Sequence, residues 1–347
     1  MMVSQPIPVI RTVYLNRVLE VINTAAVDVE KSLQRCRLPT NTAEYPDAYV
    51  PISSLLSFMR GVTYCRGVED VGLRAASRLT LTDFNHELQS AVLHCSELET
   101  ALWAFCTLAE HEQSTMRYRV VRMAGSAKVR ICCSSDNLQP VAIDRDMEWF
   151  SIMSMVTVIR HFKGESWMPA TIALQSQDSA GRYARSLFPD TLFNSGQQET
   201  SIEFPAALLL ASTEDRLRHA GEQPGATSDR HDHVSYDHVS WDFPTSLQKL
   251  LRTYLDDGYP DISLAAEIAG SSVRTLQRRL SQYNLRYSEL VHQLQIECAK
   301  ELLADNDLRT LDVAYAVGYQ DSSNFARAFR RIIGLSPQQY RSQMYAH

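Results

Sequence analysis

The sequence predicts an α/β or α+β N-terminal domain followed by an all-α C-terminal domain, on three observations. Roughly the first two hundred residues mix helical with alternating apolar periodicity, and the last hundred show helical periodicity alone. Between them HAGEQPGATSDRHDHVSYDHVS, rich in Gly, Pro, Ser, Asp and His, has neither period and repeats DHVS. At 347 residues the chain exceeds one ordinary core, and it divides into 1–218, a flexible linker at 219–240, and 241–347.

With 45% hydrophobic and 21% charged residues, the chain can bury a full core. Its seven cysteines are odd in number and form no C-x-x-C pair, which suits reduced thiols. The N-terminal MMVSQPIPVIRTVYLNRVLEVI lacks the apolar run of a secretory signal, and no window reaches the roughly 18 apolar residues of a membrane helix. A soluble cytoplasmic protein without membrane partners is expected.

In the first domain, PISSLLSFMRGVTYC (51–65) repeats Leu55, Leu56, Met59 and Val62 at helical spacing. MRYRVVRM and AKVRICCS alternate on either side of Gly125 and Ser126 and predict a β-hairpin. DMEWFSIMSMVTVIRHFKG (146–164) predicts a long helix whose Met147, Trp149, Phe150, Met153 and Met155 enter the core. The short strands ATIALQ (170–175) and TSIEFP (200–205) flank a helix in SAGRYARSLF.

Catalysis needs a convergent set of groups, and no G-x-S-x-G, H-E-x-x-H, P-loop or G-x-G-x-x-G occurs. Cys132 and Cys133 are strand neighbours facing opposite sides, so one of them is expected in the core rather than in a redox pair. His161 ends a helix, where the dipole favours a histidine without any haem. His231, His233 and His238 lack the cysteines or i, i+4 pairing of a metal site. No enzyme activity, cofactor or metal is expected.

The second domain opens with a helix in SLQKLLRTYLDDG (246–258), expected to end at Gly258. SLAAEIAGSSVRTLQRRL then has the form of a helix-turn-helix. Ser263 is the expected cap of a first helix with Leu264 and Ile268 inward, Gly270 permits the turn, and Ser271 or Ser272 caps the second helix. In that second helix Val273, Leu276 and Leu280 share the buried side, and Arg274, Gln277 and Arg278 the exposed one. Arginine can bond guanine twice and glutamine can bond adenine, so this face suits a major groove, with Arg279 set aside for phosphate.

The arrangement recurs 48 residues later in TLDVAYAVGYQDSSNFARAFRRIIG. Thr310 is the expected cap, Val313, Ala314 and Val317 pack, Gly318 turns, and the second helix buries Phe325, Phe329 and Ile332. Ser323, Asn324, Arg327 and Arg331 share its exposed side. Ser336, Pro337 and Gln339 predict a capping box on a last helix. Between the units Tyr287 to Leu303, 17 residues, predicts a linker helix of roughly 25 Å. The domain carries 12 basic and 12 acidic residues, yet 270–286 and 322–341 each hold four arginines and no acid. Binding to DNA is therefore expected to be specific, with a modest nonspecific part.

At AVGYQDSSNFARAFRRIIGLSPQQYR (316–341) and at LQRRL in the first unit, the sequence resembles the AraC/XylS family of transcription regulators. DAYVPISSLLSFMRGV, VEDVGLRAASRL and SLFPDTLFNSGQQETSIEFPAALL resemble the subgroup with an arabinose-binding-type effector domain, as in the ornithine-utilisation and VirS regulators. The resemblance implies two helix-turn-helix units that bind promoter DNA as monomeric or dimeric units and act with RNA polymerase, as an activator in the nucleoid. It implies base contacts at Arg274, Gln277, Arg278, Ser322, Ser323, Asn324 and Arg327, and phosphate contacts at Arg279, Thr310, Arg330 and Arg331. It also implies a small-molecule effector and self-association through the N-terminal domain. Gating by a partner protein or by oligomerisation is the alternative, and no residue can be assigned to the effector.

Overall fold

In the computed structural model, residues 5–22, 28–43, 45–66, 69–135, 144–213, 241–254, 260–305 and 307–344 are described. They fall into two units: one within Pro8–Ser240, the other joining Met1–Ile7 to Trp241–His347. The 219–240 linker, its histidines and Gly258 lie outside the described residues.

The first unit contains β1 (Val9–Arg11), α1 (Thr12–Ile22), α2 (Val29–Arg35), β2 (Tyr49–Pro51), α3 (Ile52–Arg66), α4 (Val71–Ala76), α5 (His86–Leu93) and α6 (Leu98–Leu108). There follow β3 (Met116–Arg122), β4 (Lys128–Ser135), α7 (Arg145–Lys163), β5 (Thr171–Ala173), α8 (Arg182–Leu187), β6 (Leu192–Asn194) and β7 (Thr200–Pro205). Five strands form one mixed sheet in the order β3-β4-β7-β5-β6, in which only β5 and β6 run parallel. β1 and β2 pair separately. The domain is α/β, as expected, with the β3–β4 hairpin and β7 at the predicted places.

Helix α7 is the core. Asp144 caps it by accepting the Asp146 N–H at 3.0 Å, and Gly164 at φ 86° closes it. Every residue from Met147 to Ile159 is buried, because helices α4 and α6 pack around it, β7 lies against it and Tyr14 of α1 sets its ring 5.3 Å from that of Phe150. Burial on all sides admits Glu148 only because its carboxylate accepts the Gln175 and Ser176 N–H groups at 2.6 and 3.0 Å, and the Thr200 hydroxyl.

Gly72 shows why α4 needs a glycine. A Cβ there would stand 2.4 Å from the Asp146 carbonyl oxygen, and the Gly72 N–H donates to the Asp146 carboxylate at 3.1 Å. Gly72→Val is expected to push α4 off α7 and destabilise the unit by about 1–3 kcal/mol in chemical denaturation.

Cys133 belongs to the core cluster, as expected for one of the pair, and Cys132 on the opposite face is buried as well, at 3% exposure. β4 is an interior strand, and on its second face Cys132 lies beside the Arg119–Glu199 ion pair. Burial pushes the Cys133 thiol up to about 12, so little thiolate exists at neutral pH.

The second unit is helical: α9 (Phe243–Arg252), α10 (Ile262–Ile268), α11 (Val273–Ser281), α12 (Tyr287–Leu303), α13 (Thr310–Ala316), α14 (Ser322–Ile333) and α15 (Pro337–Met344). Helix α9 starts earlier than expected and ends at Arg252. Asp242 caps it by accepting the Thr245 N–H at 2.8 Å, Pro244 fits its first turn, and Thr253 and Tyr254 turn the chain out. Ile7 belongs to this unit, its N–H donating to Ser246 Oγ at 2.9 Å.

Candidate nucleic-acid interface

Two like turns present two helices. In the first, Gly270 at φ 61° donates to Glu267 O and Ser271 N–H to Ala266 O; in the second, Gly318 at φ 83° donates to Tyr315 O and Tyr319 N–H to Ala314 O. Both are Schellman closures with glycine in the left-handed position, so α10–α11 and α13–α14 leave their first helices by the same backbone path.

Two caps and two expected inward residues differ from expectation. Asp261, not Ser263, caps α10, its carboxylate accepting the Leu264 N–H at 2.8 Å. That start turns Leu264 outward, 38% exposed, and Ala265, Ala266 and Ile268 inward. Thr310 is the first helical residue of α13 rather than its cap; Arg309 precedes it and bonds Asp312 at 2.8 and 3.0 Å. Ile332 is 41% exposed, because the buried stripe of α14 stops at Phe329 and its last turn faces outward.

Helices α11 and α14 are capped as the chemistry of their first turns requires. Ser272 accepts the Thr275 N–H on α11, and Asp321 accepts the Ser323 N–H on α14 at 2.7 Å. That N–H bond holds the Asp321 carboxyl below the usual carboxylate range, so the cap stays anionic. Leu276 and Leu280 anchor α11, while Phe325 and Phe329 anchor α14 through rings 5.6 Å apart, with Tyr340 of α15 against Phe329.

Arg274, Gln277 and Arg278 are exposed on α11, and their side chains make no hydrogen bond or ion pair among the described residues. Arg279 is half-buried with its guanidinium over the Phe243 ring at 5.2 Å, which ties α11 to α9. On α14, Ser322 is half-exposed at the first helical position, and Ser323, Asn324, Arg327, Arg330 and Arg331 are exposed. Arg327 donates to Asn324 Oδ1 at 2.6 Å, so these two expected readers are already paired. Thr310 is half-exposed.

Helix α12 has the predicted ends. Three side chains that sequence reasoning missed fasten the two helix-turn-helix units to it. Tyr287 donates to Pro260 O at 2.6 Å beside α10, buried Gln295 donates to Val317 O at 3.1 Å in the second turn, and Arg341 of α15 donates to Leu303 O at 3.2 Å. Gln295→Leu leaves that carbonyl without its buried donor and is expected to cost about 1–3 kcal/mol in thermal unfolding of this unit.

This site defines a helix-turn-helix module with two units, each presenting one arginine-bearing helix. A helix-turn-helix domain family matches residues 265–343, and the family described as the arabinose-binding domain of AraC transcription regulator, N-term, matches residues 27–212. The chain belongs to the AraC transcription regulators.

Among curated relatives, the ornithine utilization regulator of Pseudomonas aeruginosa is 34% identical over 97 residues, 28% of each chain. The transcriptional activator NphR of Rhodococcus sp is 31% identical over 99 residues, covering 28% of this chain and 30% of that one. Less than a third of each relative is thus matched. The crystal structure of the transcriptional regulator CdpR from Pseudomonas aeruginosa aligns over 90% of this chain and 96% of its own, at 18% identity and a TM-score of 0.35.

Proposed function

We propose that the chain is a sequence-specific DNA-binding regulator that reads two successive major grooves with α11 and α14 and is controlled by a small molecule held in its α/β unit. The duplicated turn carries this reading: two like backbone closures, each followed by an arginine-bearing helix, flank the 17-residue α12 in the chain, which supports two readers held by one linker helix. That helix is roughly 25 Å long, set against a groove repeat of about 34 Å.

Base contacts fall to Arg274, Gln277, Arg278, Ser322, Ser323, Asn324 and Arg327, and phosphate contacts to Arg279, Thr310, Arg330 and Arg331. The first reader sets most of the sequence preference, because its arginines are unengaged while Arg327 is held by Asn324. The second reader adds affinity and register.

NphR carries the name of an activator, which supports activation with RNA polymerase here. Self-association through the first unit and residence at the nucleoid in the cytoplasm complete the reading. Among the described residues no helix is long and apolar enough to cross a membrane.

Selection of bound sequences from a random DNA pool tests it. The expected product is a bipartite motif with its halves one helical turn apart; recovery of no motif would refute specific reading.

A further inference from the structure

A cleft of about 450 Å³ opens in the α/β unit between the segment after α4 and the last turn of α7. Such volumes suit small-molecule sites. The Thr157 hydroxyl donates to Leu79 O at 3.3 Å and joins its two walls. Leu79 and Leu81 contribute apolar surface.

Its charge is lopsided. Arg78, Arg160 and His161 border the cleft, and Glu165 is the one acid among the described residues of its wall. Arg160 is braced: its Nε donates to Trp167 O at 3.0 Å and its guanidinium carbon lies 6.0 Å from the Phe188 ring centre. Its two Nη groups have no hydrogen-bond partner among the described residues. Burial lowers its pKa, the mark of a cation drawn out of water without a bonded carboxylate. Arg78 is half-exposed and only loosely paired, 3.6 Å from Glu20. The negative end of the α7 dipole offsets about half a charge, which leaves the cleft positive.

We propose that this cleft is the effector site and takes a small molecule with a carboxylate group. The fixed Arg160 fork receives the carboxylate in two parallel hydrogen bonds, the geometry that distinguishes arginine from lysine. Arg78 swings onto it from the rim, and Leu79 and Leu81 pack its carbon skeleton. Glu165 disfavours a second negative charge, so monocarboxylates bind more tightly than dicarboxylates of the same length.

The inference rests on the ligand-controlled reading above and deepens it. The test is thermal unfolding of the full chain with carboxylates from acetate to octanoate and malonate to suberate, with inorganic phosphate and chloride at matched ionic strength. A monocarboxylate is expected to raise the melting temperature with concentration. Arg160→Gln and Arg78→Ala are each expected to weaken it about tenfold or more, the loss of one charged hydrogen bond. Arg78→Ala, at an exposed position, keeps the unliganded melting temperature and guards against a folding defect in the Arg160 variant.

The assignment is overturned if no carboxylate binds, if phosphate alone binds, or if Arg78→Ala binds as the native chain does. A ligand of another class that stabilises native and Arg78→Ala chains alike overturns the cleft but leaves ligand control standing. A carboxylate that binds through both arginines without changing affinity for the selected DNA does the reverse.

Discussion

Arg274→Ala together with Arg327→Ala is expected to abolish preference for the DNA motif that the native chain selects. Each bidentate base contact contributes about 1–3 kcal/mol, so losing both costs on the order of a thousandfold in specific affinity. Arg274→Ala alone should account for most of this, since Arg327 already donates to Asn324 at 2.6 Å and must trade that bond for a base. Fluorescence anisotropy at fixed salt with the selected and a scrambled duplex separates the outcomes. Affinity for the scrambled duplex should change little, and an unchanged ratio in the double variant would remove the proposed readers. Arg331→Ala provides the contrast: as a phosphate contact it weakens both duplexes alike and flattens the salt dependence by about one counterion.

The second large effect concerns stability. Glu112 and Arg11 are 4% and 3% exposed and meet at 2.8 Å. Glu112 also accepts the Asn85 N–H and amide, each at 2.7 Å, and the Tyr14 hydroxyl at 3.1 Å. Arg11 donates further to Asp83 O at 2.7 Å and to Asp47, which is solvent-exposed. Glu112→Ala therefore takes the one buried carboxylate from the Arg11 guanidinium, which keeps only Asp83 O and the exposed Asp47, and removes the acceptor of the Asn85 amide and the Tyr14 hydroxyl at once. Breaking a buried pair from one side costs about 3–5 kcal/mol. The first unit's unfolding midpoint is expected to fall by on the order of 10 °C. Calorimetry should show a smaller loss for Glu112→Gln, which keeps an acceptor; equal losses would mean that packing rather than the polar network decides stability here.

The helix-turn-helix domain was legible because its signals are local. Helical period, glycine at two turns and serine or aspartate at the caps act within a few residues, so α12 and the outward Arg274, Gln277 and Arg278 could be placed from spacing alone. The misplacements at Ser263, Thr310 and Ile332 come from competition between neighbours. Asp261 offers a cap one residue before Ile262, and that choice rotates Leu264 into solvent. Of the α/β unit, the hairpin, α7, β5 and β7 could be read, while β1, β2 and β6 were missed: each is three residues long and none lies in a stretch with strand alternation.

By itself the sequence determined the two-domain division, the duplicated helix pairs and which arginines stand outside, since each follows from periodicity and turn chemistry along one stretch of chain. Only the tertiary structure decided that Gln295 fastens the second turn, that Arg11 and Glu112 meet across 101 residues, and that Arg160 faces a cleft with Arg78. Those relations depend on which distant backbone comes to lie against which, and packing within each unit settles that rather than any local preference.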